Sequence, residues 1–319
     1  MIKIVFTGGP CAGKTKIINN IIPRLKELGF NIIFVDETAR NIINNGITPK
    51  KDYEYTLKFQ DAILKLQNNK ELVHESFADS NTIIIYDRAI FDNRAYLEND
   101  DDFKKMLKNN NIPYINTLDK YDLIINLVSL SAYELSNFKY ENDEERQENI
   151  EDAKILDSKT SDAWVKHRNF RLILPKEHIK EKEDIVFNHI TNYLYGNRQI
   201  TNTKFYEITD FNLNKDSIKI EKDYIKDDTI LIKRSYDDEN SYIKRTMINL
   251  KIYDKIISEM EYNKILIQND IYKNISYNQI KFIKDFNIYK LNIYNNYATL
   301  QITGDLNTKI PDNIKIKIK

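Results

Sequence analysis

The chain is poor in residues that shape backbone and in residues that cross-link it. Its 319 residues include seven glycines, six prolines, one tryptophan and one cysteine. The lone Cys11 excludes an internal disulfide framework and a cysteine-cluster metal site. Charge of one sign is not in excess either: 48 Lys and Arg face 48 Asp and Glu, a formal net charge of zero. A globally basic coat is thereby excluded, only local basic patches remain open, and no nucleic-acid partner is expected. No run approaches the roughly 18 apolar residues of a membrane span, and no basic, apolar, small-residue leader opens the chain. A cytoplasmic protein without a transmembrane segment is the expectation.

What the chain does have is length for about two domains, at roughly 150 residues each, and 41% hydrophobic residues to build their cores. Asn, Ile, Lys and Tyr are abundant along its whole length, as an AT-rich genome would leave them. Over the first two hundred residues, short Ile- and Val-rich runs at 2–7, 31–35, 82–86, 122–128 and 170–174 lack polar alternation, as strands covered on both faces do. Helix-like segments at 14–28, 53–77, 148–164 and 176–195 lie between them. This alternation predicts an α/β, doubly wound parallel sheet over residues 1–196.

Near Tyr195-Gly196-Asn197 the period changes. Residues 217–225, 229–236, 278–289 and 290–294 alternate with period two between Asp- and Asn-rich turns, and one helical stretch is predicted at 250–265. Residues 197–319 therefore read as a mostly antiparallel β domain. They carry 21 Lys and Arg against 17 Asp and Glu, so this half is slightly basic and the first slightly acidic.

Three of the seven glycines fall within six residues, in Gly8-Gly9-Pro10-Cys11-Ala12-Gly13-Lys14-Thr15. This is G-x-x-x-x-G-K-[ST] between a strand-like and a helix-like run, a context that gives the pattern meaning. With glycine so scarce, chance would produce it on the order of 0.002 times in such a chain, which leaves a phosphate-binding loop. Glycines let consecutive N–H groups turn toward phosphate oxygens, and the helix start adds positive potential. Lys14 is placed to reach the terminal phosphates of ATP or GTP and Thr15 to offer its hydroxyl to Mg²⁺. Cys11 reads as a small filler of the loop.

Other strand ends supply companions. Asp87 follows buried aliphatics, where a second acidic group holds Mg²⁺ through water, and Arg88 comes directly after it. Asp92 and Arg94 face either the site or solvent. Asp36 and Glu37 end the second run, at the sheet edge where ligands bind in open α/β folds; either carboxylate serves as general base, as a grip on a substrate hydroxyl, or as a helix cap. In the charged stretch 142–149, Arg146 is placed to act on a lid over the transferred phosphoryl group. Trp164 reads as core, and His167 as structural.

Together the phosphate loop, Asp36-Glu37-Thr38-Ala39-Arg40, Phe59-Gln60, Asp87-Arg88 with Asp92 and Ala95-Tyr96, and the helix through Ala153, Asp157 and Trp164 to His167 resemble the NadR-like P-loop ATPase/kinase domain. That domain is also the N-terminal half of TRPL-translocation-defect-type proteins. The resemblance covers about residues 1–195 and implies ATP or GTP binding with Mg²⁺. It further implies a C-terminal CYTH-like domain, an antiparallel tunnel whose basic residues hold polyphosphate. Echoes of it are Lys233-Arg234, Lys244-Arg245, Lys281, Lys284 and Lys290; alternation allows only one of Lys233 and Arg234 to face a tunnel. Asn292 and Gln301 stand where such domains place metal-holding Asp and Glu, so tunnel hydrolysis is disfavoured. The resulting expectation is a nucleotide-dependent hydrolase or binding protein whose second half recognises a phosphorylated small molecule or lipid headgroup, peripheral at membranes in the latter case. A kinase acting on a nucleoside-like or ribosyl hydroxyl is the alternative.

Overall fold

The computed structural model describes residues 1–130, 150–197, 202–213, 215–225, 228–305, 308 and 310–316. They form two compact units, one of residues 1–113 with 120–190, the other of residues 114–119 with 191–319. Among the described residues, no helix is long and apolar enough to cross a membrane.

The first unit is built on five parallel strands, β1 (Ile2–Thr7), β2 (Asn31–Val35), β3 (Thr82–Asp87), β4 (Leu123–Leu127) and β5 (Phe170–Ile173), in the order β2-β3-β1-β4-β5. All five lie where the aliphatic runs predict them. β3 and β4 are buried along their whole length, which is why their sequences carry no polar alternation. The crossovers include α1 (Lys14–Glu27), α2 (Thr38–Asn44), α3 (Tyr53–Ser76) and α4 (Asp100–Asn109). In α1 the apolar stripe Ile17, Ile18, Ile21 and Leu25 is fully buried, the helical spacing that a sheet-covering face requires. After the short helix α5 (Tyr114–Asp119) and β4, two further helices follow, α6 (Ile150–Trp164) and α7 (Ile179–Leu194).

The second unit is a nine-stranded antiparallel sheet. Its strands are β6 (Thr203–Phe211), β7 (Ile218–Ile225), β8 (Thr229–Tyr236), β9 (Glu239–Ile248), β10 (Lys251–Ile257), β11 (Ile271–Lys284), β12 (Asn287–Ile293), β13 (Ala298–Thr303) and β14 (Ile314–Ile316), in the order β10-β9-β8-β7-β11-β12-β13-β6-β14. One face is apolar. There α8 (Glu259–Gln268) sets Tyr262 against Ile225, Leu231, Tyr242 and Ile257, and a second cluster gathers Tyr289, Leu291, Leu300 and Ile302.

Two local expectations are corrected. The helix predicted at 250–265 is a strand followed by a shorter helix, because the Asn249-Leu250 pair turns the chain with φ of 50° and 65° into the β9–β10 hairpin. The strand predicted at 278–289 is cut by a second such turn at Asp285-Phe286, φ 48° and 56°. Left-handed turns of this kind usually announce themselves by glycine. Here non-glycine residues make them, so the signal is missing.

Candidate functional site

The phosphate loop joins β1 to α1. At Gly8 φ is 129°, and a side chain there would overlap the carbonyl oxygen of Leu127; at Gly9 it would overlap the Asp157 carboxylate. The loop thus runs against its neighbours as bare backbone, and these two glycines make that possible. The Lys14 ammonium donates to the Gly8 and Gly9 carbonyls, both at 2.9 Å, which holds its tip over the loop. Burial, assisted by the nearby Arg88 cation and opposed by Asp87 and Glu37, lowers its pKa to about 8.

Beside the loop lies a cluster of opposite charges. Arg88 adopts φ 68°, with its N–H bonded to the Phe6 carbonyl at 3.0 Å. Its guanidinium meets Glu37 at 3.0 Å and Asp92 at 2.9 Å. Asp92, 4% exposed, also accepts from the Thr7 hydroxyl, the Ala89 N–H at 3.0 Å and the Trp164 indole at 3.1 Å. Burial would raise the Glu37 carboxyl, but the Arg88, Lys14 and Arg40 cations outweigh it and hold that carboxyl below its ordinary range. Asp87 differs: burial raises its pKa despite Lys14, and its buried Oδ1 has no hydrogen-bond partner among the described residues. An orphaned carboxylate oxygen at the end of β3, with the exposed Thr15 at the start of α1, fits a hydrated Mg²⁺ bound with nucleotide phosphates. Among the described residues no cluster of three or more His, Cys, Asp or Glu side chains could hold a metal, so phosphate oxygens would complete such a coordination.

A cavity of about 500 Å³ opens from this cluster. The loop residues Pro10 to Lys16, Glu37 and Arg88 form its polar end, and Ala39, Ile43, Pro49, Phe59 and Ile63 its apolar walls. Two amides of α3 line it. Gln67 is fixed, since it accepts from the Thr38 hydroxyl and donates to the buried Glu71 at 2.8 Å. Gln60, 4% exposed, has no hydrogen-bond partner among the described residues.

The remaining candidates go elsewhere. Asp36 pairs with Lys70 at 2.6 Å and Asn41 at 2.8 Å, and it does not line the cavity. Arg146 lies outside the described residues. Arg94 pairs with Asp100. Cys11, φ 55°, lines the cavity as part of the loop. His167 is fully buried, with Nε2 2.9 Å from the Tyr121 carbonyl oxygen and Nδ1 accepting from Asn169 N–H, a structural arrangement.

Two further residues reach the loop: Asp157, one of the residues that carry the resemblance but with no contact expected of it, and Lys182, which no motif announces. Asp157, within α6, accepts from Gly9 N–H at 2.8 Å and Ser129 N–H at 3.1 Å. Lys182, within α7, donates to the carbonyls of Ala12 at 3.0 Å and Val128 at 2.9 Å. The one sequence signal for Lys182 is a charge in helical register with Val186 and Ile190, the apolar residues that α7 buries alongside Glu183.

On the second unit, register and alternation put Lys222, Arg234, Arg245, Lys281 and Lys290 on the face opposite α8, with Gln279, Asn292 and Gln301 among them. Of the Lys233-Arg234 pair it is Arg234 that takes this face. It is ion-paired with Asp119 of α5 and buried, while Lys233 lies 3.7 Å from Glu221 on the other side. Arg245 is held by Asp254 through two bonds of 2.7 and 2.8 Å. Lys222 and Lys290 have no ion-pair partner among the described residues. Burial and the neighbouring Lys222 and Arg245 cations lower the pKa of Lys290 to about 8.

Comparison with known proteins places residues 3–182 in a match to a family described as an AAA domain. No curated protein matches. Similar solved structures include the hypothetical protein NE1496, 8% identical with a TM-score of 0.29, covering 37% of this chain and 88% of its own. Another is that of the inorganic triphosphatase NE1496, with the same identity and TM-score, covering 36% and 86%.

Proposed function

The chain belongs to the AAA domain family of P-loop nucleotide-binding domains through residues 3–182, and from that premise we propose that its first unit transfers the terminal phosphoryl group of Mg·ATP or Mg·GTP to a hydroxyl of a small molecule. The observation that carries this reading is the cavity, in which the phosphate loop, Glu37 and Arg88 share one lining with the apolar Ile43, Phe59 and Ile63.

In this reading the backbone N–H groups of the loop and Lys14 hold the phosphates. Thr15 and Asp87 hold Mg²⁺, which neutralises phosphate charge when bound. Glu37, kept ionised by Arg88, accepts the hydrogen bond of the acceptor hydroxyl and takes its proton as the phosphoryl group moves to the hydroxyl oxygen. Arg88 lies where charge develops on the transferred group.

The test is stoichiometric. Purified protein with Mg·ATP or Mg·GTP consumes nucleotide when a nucleoside or ribosyl compound is added, and yields a phosphorylated acceptor. Equal consumption without any acceptor points to a hydrolase. Lys14→Ala abolishes nucleotide binding in both cases, and tight binding by that variant would refute the site.

A second reading, a nucleotide-dependent protein that binds a phosphorylated small molecule or lipid headgroup, is favoured by one observation. Lys222, which stands over the Tyr277 ring, and Lys290 share one sheet face without an ion-pair partner among the described residues, and phosphate oxygens would supply a counter-charge. The neighbouring amides Asn292 and Gln301 suit an anion better than the hard cations of a hydrolytic tunnel. Titration of the whole chain with inorganic tripolyphosphate and with phosphoinositide vesicles separates a free polyphosphate from a headgroup. Lys222→Met combined with Lys290→Met should remove the binding.

A further inference from the structure

The phosphate loop is gripped from outside by two oppositely charged side chains that neither touch its phosphate side nor belong to its motif. Both are nearly fully buried, Asp157 at 3% and Lys182 at 4% exposed. Each makes one bond to the loop and one to the chain just after β4. Asp157 Oδ1 accepts from Gly9 and Ser129, and Lys182 Nζ donates to Ala12 and Val128. They reach the loop from 148 and 170 residues further along the chain.

A trans peptide carries its C=O and the following N–H in opposite directions, so fixing one fixes the other. By taking the N–H of Gly9, Asp157 turns the Gly8 carbonyl the opposite way, where the Lys14 ammonium meets it at 2.9 Å. By taking the carbonyl of Ala12, Lys182 turns the Gly13 N–H away from itself. A glycine-rich loop has many backbone states to lose on binding phosphate, and a loop held in one of them has less to lose. Burial raises the Asp157 carboxyl, partly offset by the Gly9 and Ser129 N–H groups, and lowers Lys182 to about 8, partly offset by the Asp157 carboxylate.

We propose that Asp157 and Lys182 are positioning residues for nucleotide binding, which set the peptide orientations of the phosphate loop by pinning its two ends to the segment after β4. This rests on the nucleotide-binding reading above. The pair acts on whatever polyphosphate the loop holds, independent of base and acceptor.

The full chain is titrated with Mg·ATP, Mg·GTP and magnesium tripolyphosphate, as wild type, Asp157→Ala, Asp157→Asn and Lys182→Met, with the melting temperature of each ligand-free variant recorded. Loss of a bond to a charged partner predicts that Asp157→Ala and Lys182→Met weaken every ligand bound at the loop about ten-fold or more, by a similar factor. Asp157→Asn keeps an acceptor oxygen and stays within about three-fold of wild type. The double variant Asp157→Ala, Lys182→Met loses less than the product of the single effects, since both act on one loop. Variants that melt earlier yet bind within about three-fold would show a purely structural role and overturn the proposal. Should Asp157→Ala fail to fold, Lys182→Met decides by the same criterion. A wild type that binds none of the three ligands would overturn the nucleotide-binding reading itself, and the proposal with it.

Discussion

The Arg88 guanidinium meets the Asp92 carboxylate at 2.9 Å on the same turn that carries Asp87 to the end of β3, and the Asp92 side chain is 5% exposed. This pair, four residues apart, joins the cavity to the interior. Asp92 is bonded inward to the Trp164 indole and the Thr7 hydroxyl, and Arg88 outward to Glu37.

Asp92→Ala should therefore destabilise the protein by about 3 to 5 kcal/mol, because it removes one of the two carboxylates paired with the buried Arg88 guanidinium and strands three other donors, the Thr7 hydroxyl, the Ala89 N–H and the Trp164 indole. Asp92→Asn should cost less. Chemical denaturation of both variants measures this, and an Asp92→Ala loss below about 1 kcal/mol would contradict the bonding described.

The Asn249-Leu250 turn makes an opposite prediction. Leu250 sits at φ 65° with 82% of its surface exposed. Leu250→Gly should stabilise the second unit by about 1 kcal/mol, as it relieves left-handed strain and leaves Asn-Gly at a two-residue hairpin. A lower melting temperature for this variant would count against the turn.

Arg234 and Asp119 form a buried ion pair in the second unit, 3% and 0% exposed. Asp119→Ala alone should cost about 3 to 5 kcal/mol through the guanidinium it leaves unpaired, whereas Asp119→Leu with Arg234→Met should come close to neutral. A double-mutant cycle in denaturant decides whether the two act as a unit.

Lys290 predicts a pH dependence. Its folded pKa is about 8 against an ordinary 10.5, from burial and the facing Lys222 and Arg245 cations; Lys281 and Gln301 are its cross-strand neighbours. Between these two values the unfolded chain binds more protons than the folded one, so stability rises with pH across that window, while below pH 8 the charged lysine weighs fully against folding. Melting curves from pH 7 to 10 should show the rise in wild type and a smaller one in Lys290→Met.

The sequence by itself determined the features that local spacing encodes. Five aliphatic runs without polar alternation become the parallel strands because a strand covered on both faces needs apolar residues throughout. The G-x-x-x-x-G-K-T run becomes a loop because its glycines permit backbone that no other residue could follow past Leu127 and Asp157. Tertiary structure decided the rest, where partners are distant in the chain. Asp36 and Glu37 are neighbours in sequence, yet Asp36 turns to Lys70 and Glu37 to Arg88. Asp92, for which neither direction was favoured, is drawn inward by Trp164, 72 residues away. Two hairpins carry no local signal because Leu250 and Phe286 stand where glycine usually marks a left-handed turn. Asp157 belongs to the helix that carries the family resemblance and Lys182 to a stretch without a motif, and only folding brings both charges to the phosphate loop. Hydrogen bonds in a buried site are selected by three-dimensional distance, and sequence period reports only on which face a residue lies.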